Sequence, residues 1–157
     1  MNMKYTIQEA DELILRTLQA DGRLSMQEVA EKTSLSASQC WRRVRDLEEA
    51  GIISGYAAQV KAKTIGLSAI AYVHVALRDH EEESINSFLR LVETETQIVE
   101  CASITGDHDF VLKIYARNPE DLEDFIMRRL LKSGLVKDTR SNFILREMKT
   151  RGPLPIL

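Results

Sequence analysis

Polar and basic side chains that can bind nucleic acid are concentrated at the start of one predicted helix. Serine and glutamine can hydrogen-bond base edges, and arginine can bond guanine at two points or hold a phosphate. No acidic residue lies between Lys32 and Asp46, whereas three arginines do. The candidate DNA contacts in this stretch are Ser36, Ser38, Gln39, Trp41, Arg42, Arg43 and Arg45.

Two of these side chains have an equally good structural interpretation. Arg43 lies three residues after Cys40, at the edge of the predicted buried stripe. It therefore either contacts a phosphate or pairs with an acidic residue of another helix. Trp41 either contacts DNA or packs at a domain interface. Arg42 and Arg45 point further outward, although a run of arginines on a helix is often only a solvated face.

The elements that must position these residues are two short helices joined by a tight turn. Ser25 with Glu28, and Ser36 with Gln39, form the capping-box patterns that start helices. Apolar residues of the second helix recur at i, i+4 and i+7, which predicts one buried stripe, and Gly51 predicts its end. This arrangement predicts a helix-turn-helix, whose second helix enters the major groove of DNA.

The segments on either side complete this first domain. Thr6 and Glu9 form a similar capping pattern ahead of a first helix, which ends at a turn over residues 21–22. Arg23 follows that turn and either reaches a phosphate or forms a salt bridge with an acid of the first helix. Residues 52–60 are short and extended, which predicts a minimal wing behind the helix-turn-helix.

Beyond residue 68 the period of the apolar residues alternates between that of strands and that of helices. The order β-α-β-β-α-β predicts a ferredoxin-like domain, so the chain is α+β. We expect a DNA-binding domain over residues 1–60, a linker over 61–67 and the second domain over 68–157. Predicted strands cover 69–77, 97–105, 109–116 and 136–148, and predicted helices run from 81 to 93 and from 118 to the stop at Gly134.

The second domain should leave one face of its sheet without a helical cover. Both crossover helices of a ferredoxin-like arrangement lie on one side of the sheet. An uncovered apolar face is a sticky surface, and a second copy of the chain is the simplest cover. The sequence therefore predicts a homodimer through this domain.

The turn at residues 105–109 joins the two middle predicted strands and could bind a small zwitterion. Gly106 lets backbone amides face an anion, and the carboxylates of Asp107 and Asp109 could hold an ammonium group. Thr105 and His108 complete the turn. The alternative is a purely structural hairpin turn, because Gly-Asp permits positive φ there.

Composition and motif content limit the other classes of protein to which the chain could belong. The net charge of −3 and the pI of about 5.7 exclude a protein that binds nucleic acid through its overall charge, so DNA contacts must come from local placement and doubling in a dimer. The two cysteines are far apart, no secretory signal or membrane-spanning run is present, and we expect a cytoplasmic protein. We expect no catalytic residue, metal or cofactor, since no phosphate-binding loop or metal-ligand spacing is present.

The chain resembles the Lrp/AsnC family of prokaryotic transcription regulators over nearly its whole length. The matching residues are Asp11, Ile14-Leu15, Leu18, Asp21-Gly22-Arg23-Leu24-Ser25, Ser36, Arg42-Arg43-Val44, Leu47-Glu48, Gly51-Ile52-Ile53 and Gly55-Tyr56. The DGRLS element and the RRV-x-x-LE-x-x-GII-x-GY run are narrower signals than a helix-turn-helix alone.

The resemblance implies a regulator that binds double-stranded DNA and responds to an amino acid or related small molecule. The 105–109 turn looks like the family's G-D-x-D element, whose pocket lies between dimers, so a neighbouring subunit is expected to add Thr139 and Ser141. It also implies homodimers that assemble to a tetramer or octamer, control of amino-acid metabolism genes, and no membrane partner. The alternative function is an architectural DNA-binding protein without an effector.

Overall fold

In a computed structural model that describes residues 5–150 and 152–156, the chain divides into two units. The first unit contains Met1–Gln59 together with Lys149–Leu157, and the second contains Val60–Met148. Residues 149–150 and 152–156, which the sequence assigns to the second domain, group with the first unit by their contacts. A short 3-10 turn, Ala62–Ile65, follows the first unit and ends at Gly66.

Three helices, α1 (Glu9–Ala20), α2 (Met26–Thr33) and α3 (Ala37–Glu49), form the first unit. Their facing sides supply its apolar core, in which Ile14 of α1, Val29 of α2 and Leu47 of α3 are fully buried. The two helices of the predicted helix-turn-helix start where their capping boxes indicate. The connection between them turns at Ser34, which has a left-handed backbone (φ 56°).

The start of α1 differs from the predicted one. Gln8, not Thr6, is the residue before the helix, and its N–H donates to Asp11 Oδ2 at 2.9 Å. Asp11 is the acidic partner in this capping box, a role that the sequence pattern gave to Glu9. The carboxylate of Asp11 faces inward, whereas Glu9 is exposed. The cap therefore lies two residues later than its sequence pattern suggested.

Residues 52–60, all of which the structure describes, contain no strand within this chain. Ile52 and Ile53 pack against the core of the first unit, and both N–H groups donate to Leu47 O. From Ser54 to Val60 the residues are exposed. The predicted extended wing is thus a segment without hairpin pairing in the single chain.

The second unit is a four-stranded antiparallel sheet with helices packed on one face. Its strands are β1 (Ala69–Leu77), β2 (Ile98–Ser103), β3 (Phe110–Ala116) and β4 (Val136–Phe143), in the order β2-β3-β1-β4. Helix α4 (Glu82–Thr94) follows β1, and α5 (Pro119–Phe125) follows β3 and continues as a π turn, Ile126–Leu130. This is the predicted β-α-β-β-α-β order, which confirms the fold class.

The core of the second unit lies between the sheet and these helices. Alternate residues of β1 and β3, such as Val73, Val75 and Leu112, are fully buried against Phe88 of α4 and Leu122 of α5. Alternation in the strands and helical spacing in α4 and α5 place these side chains on the same side. The opposite face of the sheet carries no helix among the described residues.

The last strand is shorter than predicted. Strand β4 ends at Phe143, five residues before the predicted end at Met148. Ile144 N donates to Ile70 O, and Lys113 Nζ bonds Glu147 Oε1 at 2.9 Å. Residues 144–148 therefore lie beyond the strand, and the carboxylate of Glu147 reaches a side chain of β3. In the part of the chain that is described, no helix is long and apolar enough to cross a membrane.

Candidate nucleic-acid interface and effector site

The first turn of α3 is fixed by its own side chains. Ser36 Oγ accepts a hydrogen bond from Gln39 N, while Gln39 Oε1 accepts from Ser36 N at 3.0 Å. Ser36 Oγ also lies 3.2 Å from Ser38 Oγ. Ser36 and Gln39 therefore use these hydrogen bonds to fix the start of the helix. Only their remaining hydrogen-bonding capacity is available to a partner.

The next residues of α3 form an exposed polar surface. Ser38, Gln39, Trp41 and Arg42 are all exposed, and Trp41 keeps 57% of its surface accessible. Within residues 5–150 and 152–156, Arg42 has no carboxylate at ion-pair distance, so its guanidinium remains available to a phosphate or a guanine. This is the geometry expected of a helix whose front end enters a groove.

Arg45 is partly engaged by its own helix. Its guanidinium lies 5.1 Å from the centre of the Trp41 ring, a cation–π contact. It also approaches Asp46 (3.7 Å) and Glu49 (3.5 Å) while staying half-exposed. Trp41 is thus a surface residue that stacks with Arg45.

Arg43 points the other way and links α3 to α1. Its Nη1 donates to Oδ1 of Asp11 at 2.8 Å, and its Nη2 donates to Gln8 Oε1 at 3.1 Å. Asp11 is completely buried. Of the two arrangements that the sequence allowed, the structure has the ion pair with an acid of another helix. Arg43 therefore orients α3 on α1.

Arg23 stays outside these networks. It is exposed in the turn before α2, and its N–H donates to Asp21 Oδ1 at 2.9 Å. Among the described residues its side chain takes part in no ion pair, so the alternative to a phosphate contact, a salt bridge to the first helix, does not form. The guanidinium is free to reach a phosphate.

In the second unit, the predicted effector turn at 105–109 is held against the end of β1. Gly106 has φ +120°, a conformation that L side chains rarely adopt, and Thr105, Gly106 and Asp107 are exposed. Asp109 N donates to Val75 O, and Ile104 N donates to Asp109 O. The tip of the turn is therefore exposed, whereas backbone hydrogen bonds fix the residues at its two ends.

The side chain of Asp109 fixes this turn to β1, so its carboxylate is not available to a ligand. Its Oδ2 accepts from Leu77 N at 2.8 Å, and its Oδ1 lies 2.7 Å from His80 Nε2. The Leu77 N–H, and then the His80 hydrogen bond, hold the pKa of Asp109 below its usual range. Both oxygens are engaged, so Asp107 is the carboxylate of this turn that, among the residues the structure describes, has no partner and could bind a ligand.

His108 lies beside β4 and brings a residue to the turn that the sequence did not single out. Its Nε2 is buried, has no hydrogen-bond partner among the described residues and lies 3.7 Å from Asp138 Oδ2. Its ring packs edge-on against His74, with centroids 5.8 Å apart. Asp138 and His80 were missed because single polar residues in a strand and a loop carry no spacing signal.

The two β4 residues expected from the family pattern are not joined to the turn within one chain. Thr139 pairs with Val75 and Ser141 with Val73, across β1 from β3. Ser141 is exposed and Thr139 half-buried. In the described parts of the chain, no group of three or more histidine, cysteine or carboxylate side chains could hold a metal ion.

Each unit of the chain matches the model of a known protein family. The model of a winged helix-turn-helix DNA-binding family covers residues 7–54, and that of the Lrp/AsnC ligand binding domain covers residues 70–154. The second match alone spans more than half of the chain.

Individual relatives align over almost their full length. The leucine-responsive regulatory protein of Rhizobium meliloti is 33% identical, covering 95% of this chain and 96% of the relative. The glutamate uptake regulatory protein of Zymomonas mobilis is 30% identical, covering 96% and 91%. The crystal structure of a transcriptional regulator from Neisseria meningitidis in complex with L-Met superposes with a TM-score of 0.92 at 32% identity, covering 96% and 97% of the two chains.

Proposed function

Since this chain belongs to the Lrp/AsnC family of transcription regulators, we propose that α3 reads DNA in the major groove while the second unit binds an amino acid. The observation that supports DNA binding by α3 is its exposed polar surface. This surface is formed by Ser38, Gln39, Trp41 and Arg42 on a capped helix. Hydrogen-bonding side chains there face outward, and Arg42 has no ion pair among the described residues.

Two copies of the chain are needed for useful affinity. One basic helix end on a chain with net charge −3 contacts few phosphates, so two half-sites must act together. The helix-free face of the sheet in the second unit is the proposed dimer surface, and dimers assemble further to a tetramer or octamer. The proposed place of action is the cytoplasm, where the target DNA lies.

The proposed effector site is the tip of the 105–109 turn. Asp107 offers a carboxylate to an ammonium group, and the backbone around Gly106 offers amides to a carboxylate. Thr139 and Ser141 belong to this proposal only as contributions of a neighbouring subunit. The L-Met complex of the Neisseria regulator supports an amino acid as the ligand class.

The second candidate function is an architectural DNA-binding protein without an effector. One observation favours it: the carboxylate of Asp109 is already engaged by Leu77 and His80, which removes one of two predicted ammonium ligands. The relatives named for leucine response and glutamate uptake favour the effector-responsive regulator.

The test is the affinity for a selected genomic DNA fragment, measured with and without each of the twenty amino acids. A regulator with an effector should change its DNA affinity by about 5- to 150-fold with at least one amino acid. Asp107→Asn should abolish that change and leave DNA binding alone intact. The control Asp124→Asn, on exposed α5 surface, should behave as the native chain. An unchanged affinity with every amino acid would favour the architectural function.

A further inference from the structure

The end of the chain packs on the first unit, although it follows the last strand of the second unit in sequence. Residues 152–156 lie against α1, and Ile156 packs on the apolar core of the first unit. The chain thus passes between the units twice, once near residue 60 and once near residue 149. We call residues 152–156 the tail.

Two side chains of α1 bind the backbone of the tail. Gln19 makes a paired contact with Leu154: its Nε2 donates to Leu154 O at 3.2 Å, and its Oε1 accepts from Leu154 N at 2.6 Å. Arg16 Nη2 donates to Ile156 O at 2.8 Å. The amide of Gln19 therefore acts as the partner that a neighbouring strand would otherwise supply.

The tail sequence suits this contact. Pro153 and Pro155 fix their own φ angles and hold the residues before them in extended conformations. An extended chain presents the N–H and C=O of Leu154 to the same side chain. Because prolines also reduce the conformational freedom of the unbound tail, little entropy is lost when it docks.

The contact is also weak enough to open. Leu154 keeps 76% of its surface exposed, and the Arg16 side chain keeps 60%. Only Ile156 contributes partly buried apolar surface. A segment held by few buried contacts and by exposed hydrogen bonds opens at low free energy, whereas the core of the unit does not.

The chain just before the tail is anchored to the second unit. Ile144 N donates to Ile70 O, and the ammonium of Lys113 bonds Glu147 and lies 5.8 Å from the centre of the Tyr72 ring. Only residues 148–151 separate the Glu147 anchor from the tail in the sequence. The chain before the tail is therefore bound within the second unit, whereas the tail is bound within the first.

We propose that α1 carries a binding surface for the chain's own tail, and that the tail is a releasable strap connecting β4 to the DNA-binding unit in cis. Gln19 is its principal anchor. The strap is a second tether of that unit, in addition to residues 60–68. Its existence does not depend on the nature of the DNA site or on the effector.

Hydrogen exchange of the full-length chain, followed by mass spectrometry of its C-terminal peptide, tests this proposal. Because prolines lack an N–H, the Leu154 amide is the one in the tail whose hydrogen bond to Gln19 gives it protection. Gln19→Ala should raise its exchange rate by about tenfold. Alanine is the better helix former, so any direct effect on α1 would act in the opposite direction.

Three comparisons make the result decisive. Ile156→Asp should also accelerate exchange of the tail, whereas Gln27→Ala, at an exposed glutamine of α2, should leave it unchanged. Protection should not depend on protein concentration. An unprotected Leu154 amide in the native chain, or no acceleration in Gln19→Ala, would overturn the strap. Protection that disappears on dilution would assign the tail to a second copy and overturn the connection in cis.

Discussion

At the scale of single residues, the two adjacent arginines of α3 have opposite roles. Arg42 is exposed, whereas Arg43 bonds the buried carboxylate of Asp11. The sequence placed Arg43 at the edge of the buried stripe but could not choose between phosphate and ion pair. The choice depends on the packing of α1 against α3, which brings together residues 32 positions apart.

Arg43→Ala should therefore destabilise the first unit without touching DNA directly. It leaves Asp11 buried without its charged partner, which typically costs about 3–5 kcal/mol, and the partial exposure of Arg43 places the expected loss near the lower end. Urea unfolding, followed by the fluorescence of Trp41, measures it. Arg42→Ala is the matched control and should change the free energy of unfolding by less than about 0.5 kcal/mol. Equal losses in the two variants would contradict the assignment.

The carboxylate of Asp109 gives a pH-dependent prediction. Its pKa in the folded chain is lowered by the Leu77 N–H and by His80, so its contribution to stability is present above the pKa of the unfolded state. That contribution is lost as pH falls through the lowered folded value, below about pH 4. Asp109→Asn should lower the melting temperature at neutral pH, and the difference from the native chain should shrink below about pH 4. A difference that is constant with pH would show that the charge of Asp109 is irrelevant.

At the scale of elements, the helix-turn-helix was predictable because its signals are local. Capping boxes and an i, i+4, i+7 stripe depend only on nearby residues, and both helices start where Ser25 and Ser36 indicate. The misplaced cap of α1 and the overlong β4 had non-local causes. Asp11 of α1 pairs with Arg43 of α3, and Glu147, beyond the end of β4, bonds Lys113 of β3.

Substitutions at the caps of α2 and α3 distinguish an effect on stability from an effect on DNA contact. Ser25→Ala and Ser36→Ala each remove the same capping hydrogen bond, so each should cost about 1 kcal/mol of unfolding free energy. Only Ser36 lies at the front of the helix proposed to enter the groove. Fluorescence anisotropy with a DNA site should therefore show a larger loss of affinity for Ser36→Ala than for Ser25→Ala. Equal affinities would mean that Ser36 acts as a cap alone.

At the scale of the whole molecule, the helix-free face of the sheet is the surface proposed to pair two chains. Its strands alternate, so the side chains opposite the core, including Tyr72 and Lys113, share this face. The sequence predicted that face from the order of the elements. It could not predict that Glu147 bonds Lys113 on this face, or that α1 binds the tail, because neither segment has a periodic pattern.

Tyr72→Glu should weaken self-association through that face. Tyr72 is 40% exposed, and a carboxylate there would have to be buried in the dimer beside Lys113, whose ammonium already bonds Glu147. Sedimentation velocity measures the assembly. Leu89→Glu, at a residue of α4 that is 39% exposed on the helical side, is the control and should leave assembly unchanged. If only the control dissociated, the dimer would form through the helices.

The measurement that tests the central claim most directly is the salt dependence of DNA affinity for the native chain and Arg42→Ala. We expect the logarithm of the affinity to fall linearly with the logarithm of the salt concentration. Arg42→Ala should lose about 1–3 kcal/mol of binding if it reads a base, or reduce the slope by about one for each DNA-bound copy if it holds a phosphate. The control Arg90→Ala, on α4, should match the native chain. Unchanged affinity and slope in Arg42→Ala would contradict the account that α3 enters the groove of DNA.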